Sequence, residues 1–168
     1  APIIGASRPE QLDDVLGVMG EGAAREAAGD PAAARASYVS ALKLDADWAP
    51  ARAALARIDA GRAASEFERA MAQGLAALAA GRTTEARSAL NRALALRPGD
   101  AGARSGLEQL DGDERRGRLA GLQTEAERLV AAERWAEAAD QYRALLNLDA
   151  TLAAAQTGLA SAEARAEL

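Results

Sequence analysis

Apolar residues recur along the chain at the spacing of one helical face. Ala34, Tyr38, Ala41 and Leu42 follow one another at offsets of four, seven and eight, which place them on a single stripe of an α-helix. Charged and small polar residues occupy the positions between them. The sequence shows no sustained alternation of apolar and polar residues, which is the pattern typical of a half-buried strand. The pattern therefore predicts an all-α protein.

The same pattern occurs three times, at a constant spacing. Gly29, Gly81 and Glu133 mark equivalent points that are 52 positions apart, and the three segments align without gaps. Equivalent positions carry similar residues, namely Ala34, Ala86 and Ala138; Tyr38, Leu90 and Tyr142; and Leu42, Leu94 and Leu146. A fixed period of this kind indicates stacked helical repeats, each of which buries its apolar face against its neighbours.

The runs that begin at Gly29, Gly81 and Arg134 resemble the second helix of a tetratricopeptide repeat. This resemblance implies antiparallel helical hairpins that stack into a tetratricopeptide-like (TPR-like) α-α superhelix. The family repeat has about 34 residues, so the 52-residue period predicts one extra helix in each repeat. The combination is also similar to bacterial membrane-anchored proteins whose repeat region faces the periplasm. A periplasmic location is therefore implied, with the cytoplasm as the alternative.

The number of helices depends on two predicted breaks. The residues in excess of the family repeat are 49–66 and 101–118, and we name them the surplus segments. Gly61 lies in the first and the sequence Asp111–Gly112–Asp113 in the second, and both favour turns. If they are turns, each unit has three helices and the chain about nine, which is the arrangement that we expect. In the alternative, each unit has two helices, of which one is long.

Residues 1–14 lie outside the repeat, and we interpret them as a lead-in segment. Residues 15–168 are predicted to form the repeat domain, with units 15–66, 67–118 and 119–168. The chain begins without methionine and stops within a helical pattern, so we expect a piece of a longer protein. Residues 3–14 are also similar to a short segment of aldo-keto reductases whose serine and arginine contact a cofactor phosphate. Ser7 and Arg8 have no barrel sequence around them, and we expect no such enzyme.

Composition narrows the possible chemistry. The 168 residues include no cysteine and no histidine, which excludes thiolate metal sites, cysteine nucleophiles and a Ser-His-Asp relay. We therefore expect no metal site, no cofactor and no enzymatic activity.

The net charge of −5 comes from interspersed acidic and basic residues, so nucleic acid is not an expected partner. No apolar run has the length of a membrane span, and we expect no direct membrane contact. Of the 20 basic residues only Lys43 is a lysine, a bias typical of a GC-rich bacterial genome.

The candidate binding residues lie on the helices that would face the inner groove of a repeat array. They are apolar, and they comprise Met19, Phe67, Met71, Leu75 and Leu78. The alternative is that the extra helix packs on this stripe and closes it. The family's lysine and asparagine clamp for acidic C-termini is absent, because Met19, Ala23, Met71, Leu75, Gln123 and Glu127 occupy those positions. We therefore expect a helix or extended peptide bound through apolar packing.

Three functions fit these features to different degrees. The first is a protein–protein interaction scaffold that binds a peptide or helix of a partner. The alternative is a structural spacer that holds an adjacent domain away from a membrane and has no ligand groove. A small-molecule carrier or enzyme would need a polar pocket with convergent titratable groups, and the sequence offers no such set.

Overall fold

A computed structural model describes residues 8–167, and this part of the chain consists of α-helices joined by short turns. No strand occurs within these residues, so the predicted all-α class is confirmed for them. Their seven helices are α1 (Arg8–Ala27), α2 (Pro31–Leu44), α3 (Ala49–Ala79), α4 (Thr83–Leu96), α5 (Ala101–Ala131), α6 (Trp135–Leu148) and α7 (Ala153–Ala166).

The bounds of the helices repeat with the period of the sequence. The short helices α2, α4 and α6 have 14 residues each, and they begin 52 positions apart. The long helices α3 and α5 have 31 residues each and also begin 52 positions apart. Long and short helices therefore alternate, and equivalent sequences adopt the same secondary structure.

The prediction of about nine helices, three in each unit, is wrong. Gly61 lies inside α3 and residues 111–113 lie inside α5, so each surplus segment continues into the next helix. A glycine in a helix costs only about 1 kcal/mol, which a packed helix tolerates. Asp111 is paired with Arg87 at 2.7 Å, and Asp113 is paired with an arginine one turn along α5. These carboxylates therefore form ion pairs from within the unbroken helix α5, with α4 and with α5 itself, instead of capping a new helix.

Three equivalent turns end the long helices and α1. The second residue after each helix adopts a positive φ: 77° at Gly29, 69° at Gly81 and 56° at Glu133. In every case the next amide donates to a carbonyl five residues earlier, as Asp30 does to Arg25 at 3.0 Å. This left-handed geometry satisfies the last carbonyls of a helix and favours glycine. The third repeat makes the same turn with glutamate.

By its internal contacts the chain divides into two compact units. The first runs to Gln73 and includes Arg92–Pro98, and the second comprises Gly74–Asn91 and the chain from Gly99. The division predicted from the sequence, a lead-in of residues 1–14 and a repeat domain of 15–168, stays a prediction. Residues 1–7, including Ser7, lie outside the described residues, whereas residues 8–14 belong to α1.

The first unit has a thin core in which alanines bring the helices close together. Ala34 and Ala41 on α2 and Ala51 on α3 are fully buried and cluster with Tyr38 and Val15. The half-buried side chains that pack against this cluster are Val18, Met19, Leu42, Trp48, Leu55 and Ile58. Because a buried methylene-sized group contributes only about 0.8 kcal/mol, stability depends on many small contacts of this kind.

The second unit also has a large residue at each position equivalent to Tyr38, namely Leu90 and Tyr142. Leu90 is fully buried on α4, and an added Cβ at Gly74 or Gly106 would lie 2.8 Å from its side chain. In the third repeat Tyr142 lies against Gly158, where an added Cβ would be 2.4 Å from the ring. These large residues of the short helices are therefore accommodated by glycines that lie 16 positions before or after them.

Ion pairs on the surface also follow the repeat. Arg35 on α2 pairs with Asp59 on α3 at 2.8 Å, and the equivalent residues Arg87 and Asp111 pair at 2.7 Å. Both pairs join a short helix to the long helix that follows it. These side chains are 34–65% exposed, so each pair contributes little to stability, but together they favour one alignment of the helices.

Candidate functional site

The predicted binding residues of the first unit are largely covered. Phe67 is 5% exposed, and the guanidinium of Arg97 lies 3.9 Å from its ring centroid. Met19 is half-buried and packs against the core of the unit, and Met71 is also half-buried. Of these three residues, Phe67 therefore contributes no open surface, whereas the two methionines present part of their side chains.

The predicted binding residues of the second unit are more open. Leu75 is 49% exposed, and Leu78 is half-buried one turn further along α3. Residues 49–66 continue directly into the helix that carries Leu75, so this segment does not fold back over the stripe. The alternative that an extra segment closes the stripe stays a prediction. Leu75 is the most exposed of the five residues predicted from the sequence.

A second apolar surface lies on α1, and of its residues only Met19 is among those predicted from the sequence. Leu12 is 43% exposed and Leu16 is 51% exposed. With Met19 they follow one helical face at offsets of four and seven, and we name these three residues the α1 ridge. The predicted lead-in of residues 1–14 places Leu12 outside the repeat, whereas the structure places it in α1. The spacing of the two leucines was the signal that could have identified the ridge.

The leucines of the α1 ridge are specific to the first repeat. Positions equivalent to Leu12 and Leu16 carry small or charged residues in the later repeats, namely Ala64 and Glu68 in α3 and Arg116 and Ala120 in α5. The helix itself therefore does not require large apolar residues there. Because the repeat folds without leucine at the equivalent positions, the two exposed leucines are candidates for contact with a partner.

Acidic side chains surround the α1 ridge. Glu10, Asp13 and Asp14 are exposed on the same part of α1, and acids near a helix N-terminus are favourably placed relative to its dipole. Beside Leu12, a shallow cleft of about 420 Å³ is also lined by Asp45 and Trp48. The surface therefore combines exposed leucines with negative charge.

Glu26 connects α2 and α3 to α1 through its carboxylate. Its carboxylate accepts hydrogen bonds from Arg57 at 2.7 Å and from the hydroxyl of Tyr38 at 3.1 Å. The hydrogen bond from Arg57 is the main cause that lowers the pKa of Glu26. Burial, followed by the hydrogen bond to Glu26, raises the pKa of Tyr38. This network stabilises an ionised carboxylate, which makes Glu26 unsuited to proton transfer at neutral pH.

Neither a metal site nor a membrane span is found in residues 8–167. No three acidic side chains there are placed to share a metal ion, and none of the helices is both long and apolar enough to cross a bilayer. The exposed large apolar residues of the described range are Leu12, Leu16, Leu44 and Leu75.

No family model, no curated protein and no solved structure matches this chain significantly.

Proposed function

We propose that this chain is a protein–protein interaction module built from TPR-like helical repeats, and not an enzyme. The observation that carries the proposal is the exposure of Leu12 and Leu16 at positions where the other repeats have small or charged residues. Exposed leucines at helical spacing match the apolar face of a partner helix or peptide, which is a common mode of peptide recognition.

The charge around the ridge indicates the kind of partner. Because Glu10, Asp13 and Asp14 are exposed beside the leucines, a partner segment with basic residues flanking an apolar face would be complementary. Complementary charge speeds encounter and excludes partners of the wrong sign more than it adds affinity. The same module presents Leu75 and part of Leu78 in the second unit, which gives a second place for apolar contact.

The experiment compares capture of partners by matched variants. The immobilised chain is incubated with bacterial extract, and captured proteins are identified by mass spectrometry. We expect Leu12→Glu combined with Leu16→Glu to lose at least one protein that the unchanged chain captures. Ala24→Glu changes another exposed residue of α1 and should retain it. Circular dichroism should show the same helix content in all variants, because the replaced side chains are exposed.

Two results would contradict the proposal. One is a set of captured proteins that the paired leucine substitutions leave unchanged, and the other is equal loss with Ala24→Glu. In either case the ridge would have no specific role in binding.

A structural spacer is the second candidate, and the long helices favour it. Each of the two 31-residue helices is about 46 Å long at 1.5 Å per residue, which suits a rigid separator. A spacer would tolerate every substitution on the α1 ridge. It would instead lose function when α3 and α5 are shortened by whole turns.

A further inference from the structure

A cleft in the first unit opens between the start of α2 and the middle of α3. Its volume is about 600 Å³, within the range of about 300–1,000 Å³ that is usual for ligand pockets. Its lining is mixed, with an apolar part formed by Pro31, Ala32 and Ile58 and a basic part formed by Arg35, Arg57, Arg62 and Arg69.

The four arginines differ in how they are engaged. Arg57 is held by Glu26 at 2.7 Å and Arg35 is held by Asp59 at 2.8 Å. Arg62 makes only a longer pair, at 3.3 Å, with an exposed glutamate on its own helix, and such a pair is readily exchanged. Arg69 makes no hydrogen bond or ion pair with any residue in the described range 8–167. The cleft therefore has ion-paired arginines on one side, where Glu26 also belongs to the lining, and the available guanidinium groups of Arg62 and Arg69 on the other.

The arginines that α3 contributes to the lining are specific to the first repeat, whereas Arg35 on α2 recurs as Arg87 on α4. The positions of the three α3 arginines have equivalents in α5, a helix of the same length. None of these equivalents is basic, since they are Gln109, Glu114 and Gly121. The long helix α5 folds without arginines at these positions. The pair with Glu26 accounts for Arg57, so Arg62 and Arg69 are the two residues whose presence in α3 requires another explanation.

We propose that this cleft binds a short acidic segment of a partner protein. The guanidinium groups of Arg69 and Arg62 would hold its carboxylates, because arginine presents paired N–H donors that match a carboxylate. An apolar side chain of the same segment would pack against Ile58. Glu26 does not oppose this ligand strongly, because Arg57 already neutralises it. The site is separate from the α1 ridge and does not depend on the function proposed for it.

Fluorescence anisotropy of the whole chain tests the proposal. The probe is a short fluorescein-labelled peptide in which leucine alternates with glutamate, and its twin carries glutamine in place of each glutamate. We expect the acidic peptide to bind about tenfold more tightly than its twin, since a charge-assisted hydrogen bond exceeds a neutral one by about that factor. Arg69→Gln should weaken the acidic peptide by a similar factor. Arg118→Gln, an exposed arginine on α5, should not.

Several results would overturn the proposal. They are no binding of the acidic peptide, equal binding of the two peptides, or equal weakening by Arg69→Gln and Arg118→Gln. A single-stranded oligonucleotide serves as the second probe. If it binds more tightly than the acidic peptide and is the ligand weakened by Arg69→Gln, the cleft binds nucleic acid instead. Loss of folding does not complicate the test, because Arg69 is exposed.

Discussion

The ring of Tyr38 lies against the backbone of Gly22, where an added Cβ would come within 2.5 Å of ring carbon Cε1. Tyr38 is 3% exposed, and its hydroxyl donates to Glu26. The ring is therefore enclosed and held at its far end, so it cannot withdraw from α1. Position 22 requires glycine for a steric reason, although glycine is a poor helix former.

We predict that Gly22→Ala destabilises the protein. Overpacking of a filled core costs about 1–3 kcal/mol, which exceeds the gain of about 1 kcal/mol in helix propensity. Gly20→Ala is the matched control on the same helix, because an added Cβ there meets nothing within 4 Å. It should stabilise the protein by about 0.5–1 kcal/mol. Urea unfolding followed by circular dichroism measures both, and stabilisation by both substitutions would refute the steric argument.

Glu133 offers a test of the turn geometry. It is the non-glycine residue with positive φ in the described part of the chain, at 56°, and this conformation costs an ordinary residue about 1–2 kcal/mol. Glu133→Gly should therefore raise the free energy of unfolding by about 0.5–1 kcal/mol, after the greater flexibility of glycine in the unfolded chain is subtracted. Gly81→Ala, at the equivalent position, should lower it. Thermal unfolding that shifts downward for Glu133→Gly would contradict this explanation.

The network around Glu26 predicts a dependence of stability on pH. Its pKa is lower in the folded protein than the ordinary value of 4.5, so the folded state favours the ionised carboxylate. The stabilisation is fully present above the unfolded pKa and is lost as the pH falls through the lower folded pKa. Glu26→Gln should therefore be less stable than the unchanged chain at pH 7, and this gap should shrink toward pH 3. Urea midpoints across this range measure the gap, and a constant gap would exclude the linkage.

The short helices could be predicted from the sequence because local signals and the repeat agree there. Gly29, Asp30 and Pro31 supply a helix stop, an N-cap and a first-turn proline. The structure uses them in this way, with Asp30 accepting from the amide of Ala33 at 2.9 Å. The 52-residue period then places the other two short helices.

The continuity of the long helices could not be predicted from local signals. The Asp-Gly-Asp sequence at residues 111–113 favours a turn when it is considered alone. Its first carboxylate instead pairs with Arg87, which is 24 positions earlier in the chain and lies on α4. Such a contact depends on how the helices pack. The exposure of Leu12 and Leu16 also depends on how α1 packs, because a position on a helix does not by itself show which of its apolar residues a neighbouring helix covers.

The continuity of α5 is the central claim, and a distance measurement tests it most directly. The chain has no native cysteine, so Ala101→Cys and Ala131→Cys, both at exposed positions, can carry spin labels for pulsed electron paramagnetic resonance. An unbroken helix places these Cα atoms about 45 Å apart at 1.5 Å per residue, and we expect one narrow distribution near that separation. A distribution centred well below it would show that α5 is broken near Gly112, and would contradict the alternation of long and short helices.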